Sequence, residues 1–377
     1  MKRNVKQMQG GWHLVLALAA PLVLLGTGCY PNYTSTPDAG GVDAGTDAGV
    51  SCDDLAHDAK LGTLRLEPGF AATESAELPP QIGAVTALAH GNSYRLYGLR
   101  NSDKSLYSLG TWPTVALGNT ALVSVISEPD RTETTFLGGY LTNDGTRLLS
   151  GYTKPGTGFP GNVVIHDTVT PSNSTYLSAP GNFSAAAVPG AFLINGTGLG
   201  TSQGTAVHAL KVDNQTQTVS TLATFPSTTA ASGYTAVSTN GIAVLGYSVY
   251  PQNVLRAVPP AAYTAALSSG NPLPLGDWPE VYSGEDLFAA AGFSSGVALH
   301  RGSYDAQTFA PLTQDVMRVE LTVDGSNPRT VITGGLTPVL TASNTCTQVD
   351  LLAPLGEDLL VGVTDRNGHR LVRLVRQ

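Results

Sequence analysis

Residues 207–225 read VHALKVDNQTQTVSTLATF and residues 316–332 read VMRVELTVDGSNPRTVI. Each is an alternating run, a polar turn and a run rich in β-branched residues, the pattern of an antiparallel hairpin. A second piece recurs along the chain, a strongly apolar strand opened by a turn of Gly, Asn or acidic residues. It occurs at 93–99 (SYRLYGL), 146–152 (TRLLSGY), 191–196 (AFLING), 242–247 (IAVLGY), 286–292 (DLFAAAG) and 358–364 (DLLVGVT). The opening turns are His90-Gly91-Asn92, Asn143-Asp144-Gly145, Pro189-Gly190, Asn240-Gly241, Gly284-Glu285 and Gly356-Glu357, with glycines 54, 45, 51, 43 and 72 residues apart. With a short apolar strand before each turn, the unit has four antiparallel strands and repeats six times.

A sheet of four strands repeated radially protects its edges, so the expected fold is all-β, a β-propeller of six four-stranded blades. A pair of β-sandwiches would need a boundary linker, and none appears. The long fifth interval reads as an insertion at 294–314 between the second and third strands of its blade. Residues 259–269 (PPAAYTAALSS) read as a helical turn with Pro at its start and Gly270 to end it. The sixth unit stops after its third strand, at 369–375, so residues 63–74 (TLRLEPGFAATE) are expected to supply its fourth strand. Composition agrees. Among 377 residues, 43 Gly and 24 Pro supply turns, while charged residues are 13%, about half the ~25% of a usual soluble domain.

The N-terminus carries an address. Lys2, Arg3 and Lys6 precede an unbroken apolar run from Leu14 to Leu25, then Gly26, Thr27, Gly28 and Cys29. The run is shorter than the ~20 residues a membrane span needs, and residues 1–28 read as a secretory signal peptide. Leu25-Gly26-Thr27-Gly28-Cys29 resembles the bacterial lipobox, with Leu one step further from the cysteine than is usual. The resemblance implies acylation of Cys29 and a lipoprotein held on a membrane surface. Residues 29–50 then read as the lipidated cysteine and a flexible tether repeating Asp-Ala-Gly, at Asp38, Asp43 and Asp47. Such tracts resemble the spacers of surface lipoproteins of GC-rich Gram-negative bacteria. Tyr30 stands where Asp would mark inner-membrane retention in enteric bacteria. The expectation is therefore an exported protein, lipid-anchored at the outer membrane or cell surface, with residues 51–377 as its propeller domain.

Cys52 and Cys346 remain as a pair in an oxidising compartment, where a disulfide joining the two ends of the domain is expected. The net charge of −8 falls to −11 when Lys2, Arg3 and Lys6 leave with the leader. No basic footprint for nucleic acid remains.

Candidate chemistry is sparse. Gly292-Phe293-Ser294-Ser295-Gly296 matches the string G-x-S-x-G, but a nucleophile elbow needs a strand, a sharp turn and a helix, and here a turn between strands is expected. Gly196-Thr197-Gly198-Leu199-Gly200 sits inside a hairpin rather than at a helix N-terminus, which is where a phosphate would bind. His166, His208 and His300 follow apolar pairs on third strands or in the insertion, away from the axis, and are expected to be half-exposed rather than zinc ligands. Better candidates are the turns into the second strands, which a propeller gathers on one face. They bring Asn92, Asn143, Asp144, Asn240, Glu285, Asp286, Glu357 and Asp358 toward a common rim. The same residue types build tight turns and also suit calcium, the one cation expected here. Six-bladed lactonases and phosphotriesterases use such a ring to polarise a carbonyl or activate water.

Family signatures are thin. Residues 143–149 (NDGTRLL) resemble the Asp-Gly turn of Tol-type periplasmic propellers in one unit of six, and Leu137-Gly138-Gly139-Tyr140 is similar to a kelch double glycine. The functional expectation is a surface-anchored module that binds an envelope protein or glycan or serves a structural role, without an organic cofactor. The alternative is a calcium-dependent propeller hydrolase or lactonase. A quinone-dependent dehydrogenase ranks behind both, for want of a cationic cluster.

Overall fold

The computed structural model describes residues 51–377 apart from 127–130, 133–135, 137, 155, 157–160, 171–173, 179–181, 198–204, 214–215, 228–229, 250, 286 and 305–310. Residues 1–50, read above as a signal peptide, Cys29 and a tether, lie outside the described residues. Two strands come first, β1 (Arg65–Leu66) and β2 (Phe70–Glu77), and six antiparallel sheets follow around a ring. Blade 1 holds β3 (Ile82–His90), β4 (Ser93–Arg100), β5 (Ser105–Thr111), β6 (Thr114–Val115) and β7 (Val123–Ser124). Blade 2 holds β8 (Gly138–Asn143), β9 (Arg147–Thr153), β10 (Gly161–Asp167) and β11 (Ser174–Ser178). Blade 3 holds β12 (Asn182–Val188), β13 (Ala191–Thr197), β14 (Thr205–Asp213) and β15 (Thr216–Thr224). Blade 4 holds β16 (Ala231–Val237), β17 (Ala243–Val249), β18 (Gln252–Val258) and, after helix α1 (Pro260–Ser269) and the short strand β19 (Leu273–Pro274), its outer strand β20 (Glu280–Gly284). The short β19 pairs in parallel with β15 of blade 3. Blade 5 holds β21 (Leu287–Phe293), β22 (Gly296–Tyr304), β23 (Pro311–Asp324) and β24 (Asn327–Thr341); blade 6 holds β25 (Gln348–Leu355), β26 (Asp358–Asp365) and β27 (Gly368–Arg376).

The expected six-bladed propeller is present, and its closure is the expected one. β2 pairs with β27 from Phe70 opposite Arg376 to Glu77 opposite Arg370, so the N-terminal segment completes the last blade. Within 63–74, the stretch expected to do this, Arg65 and Leu66 instead lengthen blade 5 by pairing with Thr341 and Leu340. The hairpins read at 207–225 and 316–332 fall on β14–β15 and inside β23–β24. α1 begins at Pro260 and ends on Gly270, whose φ of 73° is the left-handed cap that glycine adopts without a Cβ clash.

Blade 5 corrects the sequence alignment by one strand. Residues 286–292 were matched with second strands, yet Leu287–Phe293 is the innermost strand and Gly296–Tyr304 is the second. The stretch 294–314 expected as an insertion holds β22 and the start of β23 among its described residues, and the interval is long because β23 and β24 run to 14 and 15 residues. The misreading has a physical source. LFAAAGF is as apolar as the true second strands, whereas GVALHRGSY carries His300, Arg301 and Ser303, and the turn before it uses Ser294 at φ 53° where a glycine would have announced it.

Six hydrophobic clusters hold the ring, one for each contact between neighbouring blades. Alternate residues of a second strand serve the two sides: Leu148 packs in the cluster shared with blade 1 and Leu149 in the cluster shared with blade 3. Burial on both faces explains why these strands read as nearly unbroken apolar runs rather than alternating ones. The ring has two ends. Inner strands turn into second strands on what we term the rim face, and second strands turn into third strands on the opposite, seam face. Cys52 and Cys346 are bonded on the seam face, 294 residues apart in sequence with Cα atoms 5.6 Å apart. Arg366 reaches Asp53 there, and Thr63 bonds to Asn344 and Thr347.

Candidate functional site at the rim face

The rim face carries the six turns between inner and second strands. In blade 2 the Asn143-Asp144-Gly145 turn is closed by its own side chains. Asn143 Oδ1 accepts the Gly145 N–H at 3.1 Å, and Asp144 Oδ1 accepts the N–H groups of Thr146 and Arg147 at 3.0 and 2.7 Å. The Arg147 guanidinium binds Asp144 Oδ2 at 2.8 Å through Nε and reaches on to the Val212 carbonyl of blade 3 at 2.7 Å. Burial pushes the Asp144 carboxyl up, but these N–H donors and the Arg147 charge together hold it below the ordinary carboxylate value. The Asn143 amide donates to Thr86 Oγ1 at 2.7 Å and to the Ala87 carbonyl at 3.0 Å, both on the inner strand of blade 1.

Three further turns are joined into one polar seam. Asn240 donates to the Leu321 carbonyl of blade 5 at 2.8 Å while its Oδ1 accepts from Ser238 Oγ. The Ser294 N–H donates to the Glu357 carbonyl at 2.9 Å, and the Thr239 N–H donates to the Ser294 carbonyl at 3.0 Å. The Thr239 hydroxyl lies 2.7 Å from that carbonyl and 2.8 Å from Glu357 Oε2. With one proton it serves one acceptor at a time. Asp358 is held by Arg373 at 2.6 Å, which also binds Glu74, and Glu74 accepts the Trp112 indole N–H of blade 1 at 2.8 Å.

The expected common rim is thus divided. Asn92, Asn143, Asp144, Asn240, Glu357 and Asp358 belong to the rim face. Glu285 does not: it sits in the link from the outer strand of blade 4 to the inner strand of blade 5, on the seam face, where it accepts from Gln252 at 3.2 Å. Asp286 lies outside the described residues. The one-strand shift of blade 5 is the cause, and the turn that takes their place on the rim is Ser294-Ser295.

That turn contains the G-x-S-x-G string, and its glycines are there for space. A Cβ on Gly292 would stand 2.1 Å from the Val237 carbonyl of blade 4, and one on Gly296 would stand 2.1 Å from the Val319 carbonyl. The chain continues into β22, not a helix, and among the described residues no histidine hydrogen-bonds to Ser294. It is the expected turn. Next to it, Glu320 gathers Ser295 Oγ, Arg318 and Arg376, the last at 2.9 Å. The Arg318 hydrogen bond is the largest of the effects that lower its carboxyl to about 2.

The three histidines correct another expectation. His166, His208 and His300 are buried rather than half-exposed, and His300 lies on a second strand instead of in an insertion. Burial lowers the pKa of all three, that of His300 to about 4. Among the described residues, no group of three His, Cys, Asp or Glu side chains is placed to hold a metal. Of the 196–200 loop, Gly196 and Thr197 end β13 in a hairpin strand and residues 198–200 lie outside the described residues.

Residues that sequence reasoning passed over do related work. Asn195, wholly buried, donates to the Gly246 carbonyl of blade 4 at 2.6 Å. Gln314 bridges to Thr347 and Val349 of blade 6. A carboxamide inside an apolar run, as in AFLING, is the signal by which Asn195 could be found, because a buried amide must find a partner.

No protein-family model matches the chain, and no curated protein does. Solved structures are similar in shape only. A protein of unknown function from Dyadobacter fermentans is 12% identical, with 82% of this chain and 100% of that chain covered at a TM-score of 0.46. A protein assigned as an oxidoreductase (glucose dehydrogenase) from Thermus thermophilus is 11% identical, with 83% and 100% covered at 0.47. One assigned as a 6-phosphogluconolactonase from Bacteroides uniformis is 13% identical, with 81% and 83% covered at 0.42. At such identities the likeness says nothing of activity.

Proposed function

We propose that this chain is an envelope-anchored binding module: a six-bladed propeller carried on a lipidated Cys29 and an Asp-Ala-Gly tether, offering its rim face to a protein or glycan partner. The observation that carries the reading is the polarity of the ring. Chain residues enter the fold on the seam face, at Ser51 and the Cys52–Cys346 bond, so an anchor upstream draws that face toward the membrane and leaves the rim outward. The rim's polar groups favour recognition over hydrolysis. Asp144 and Asp358 are each paired with an arginine of their own blade, Asn143 and Asn240 stitch neighbouring blades, and Glu357 bonds to blade 5 through its carbonyl and to blade 4 through its carboxylate. Such a rim is preorganised, and a rigid surface loses less conformational entropy on binding.

The test has two steps. Cys29→Ser should move the protein from the membrane fraction to the soluble fraction. A fluorophore at Asn92 on the rim should then be farther from labelled lipid in proteoliposomes than one at Asn367 in the seam-face turn Asp365–Gly368. Membrane retention of Cys29→Ser defeats the anchor, and equal or reversed quenching at the two sites defeats the orientation.

A further inference from the structure

Beside the rim turns, the seam between blades 1 and 2 opens into a cleft of about 250 Å³ lined by Arg95, Tyr97, Ser108, Gly110, Thr111, Leu122, His166 and Thr168. Its construction follows from register. Arg95 stands opposite Thr111 and Tyr97 opposite Ser108, with a bulge between Leu96 and Tyr97. Gly110, at φ 89°, removes a side chain from the wall. Across the cleft His166 projects from β10, and Tyr97 joins the cleft to the apolar packing of the deeper seam, with Leu88, Leu106 and Val164.

The chemistry of the lining is unusual for this protein. Most other arginines among the described residues are taken up by carboxylates, including Arg100, Arg147, Arg301, Arg318, Arg370 and Arg373, with Arg329 on the β23–β24 hairpin an exposed exception. Arg95 is exposed, and its side chain makes no ion pair or hydrogen bond among the described residues. The Tyr97 and Thr111 hydroxyls likewise have no protein partner there. His166 is 2% exposed, and its Nδ1 lies 3.0 Å from Ser174 Oγ, leaving Nε2 without a protein partner. Leu122, 39% exposed, adds an apolar wall. Burial, opposed by the Asp167 charge, lowers the pKa of His166 and favours its neutral form, so Arg95 is the one fixed cation among the described residues that line the cleft.

We propose that this cleft binds one sugar-acid unit of the hexuronate class. A guanidinium presents paired donors that match a carboxylate. The free hydroxyls and the imidazole nitrogen suit a ring of hydroxyl groups, and Leu122 suits the C–H face of that ring. A single fixed cation in an acidic chain matches a monoanion better than a phosphate. The volume lies below the ~300–1,000 Å³ of drug-sized sites, which limits the occupant to one unit, free or at the end of a longer glycan. The proposal does not depend on the membrane anchor and stands or falls separately from it.

Calorimetry and ligand-observed NMR on the full chain in detergent, with sodium D-glucuronate, D-glucose, acetate and inorganic phosphate, test it. Saturable glucuronate binding is expected, with the other three at least about tenfold weaker. Arg95→Gln and Thr111→Val should each weaken glucuronate binding, the former by about tenfold or more, with Tm unchanged because both positions border the cleft opening. A glucuronate-terminated oligosaccharide that binds more tightly than the free acid would identify a glycan end as the source; tighter binding of the free acid would identify the monosaccharide. No saturation by either sugar acid, equal binding of phosphate or glucose, or Arg95→Gln binding like the wild type would overturn the assignment.

Discussion

Acidification should destabilise this ring well above the pH at which carboxylates protonate, and His300 provides the clearest test. It is 1% exposed on β22, edge-on to Phe288 at 5.4 Å, and burial lowers its pKa from 6.5 to about 4 against the opposing charges of Asp350 and Asp315. The unfolded chain therefore takes up this proton near pH 6.5 and the folded chain only near pH 4. Stability is complete above 6.5, falls as the pH drops toward 4, and is unaffected by this group below that. Between pH 7.5 and 4.5 the loss from His300 alone is about 2–3 kcal/mol. With an unfolding entropy of ~2.1 cal/mol/K per residue over roughly 330 residues, that is a Tm difference of about 4 °C. Calorimetric scans of wild type and His300→Gln at both pH values isolate it, because the contributions of His166 and His208 cancel in the comparison. The wild type should lose about 4 °C more than the variant. Equal losses, or a difference that develops only below pH 4, would refute a buried neutral imidazole at this position.

Removing the disulfide, by reduction or by Cys52→Ser with Cys346→Ser, should lower Tm by several degrees; a closed loop of 294 residues sets an upper limit of about 6 kcal/mol in the chain-entropy model. Calorimetry with and without reductant checks this, and the reduced wild type should match the double variant. Gly292→Ala should cost more than about 3 kcal/mol or prevent folding, since its Cβ would meet the Val237 carbonyl, while Ser294→Ala should stay within about 0.5 kcal/mol; urea titrations separate the two. Arg318→Met should cost about 1–3 kcal/mol by leaving Glu320 with the more exposed Arg376 alone, and adding Glu320→Gln should restore part of the loss, read from urea midpoints. Glu320 should also make the wild type lose stability as pH falls from about 4.5 toward about 2, a dependence absent from Glu320→Gln.

The blade count was legible because both faces of each second strand are buried, which concentrates apolar residues into runs such as TRLLSGY and DLLVGVT. Blade 5 was misaligned where those cues fail together, in an inner strand as apolar as a second strand and a turn without glycine at its left-handed position. Closure by the N-terminal segment was legible because the sixth unit lacks a strand. The division of labour between β1 and β2 was not, since blade 5 takes up Arg65 and Leu66 through backbone pairing that no side chain announces. At the rim, Asn143 and Asp144 were legible as turn residues. Their second role, fastening blade 2 to blades 1 and 3 directly and through Arg147, depends on partners 56 or more residues away in sequence. The Arg95 cleft was illegible for the same reason, because its walls come from β4, β5 and β10.

The bond between Cys52 and Cys346 also decides how the ring bears load. Tension on the chain ahead of Ser51 would, without it, run into β1 and then β2, and peel their ladders from β24 and β27 one hydrogen bond at a time. With it, the pull is transferred at Cys52 to the link entering blade 6, before β1 is reached. A pull on that segment is then borne covalently by the last blade, and the noncovalent clasp that shuts the ring stays out of the line of force.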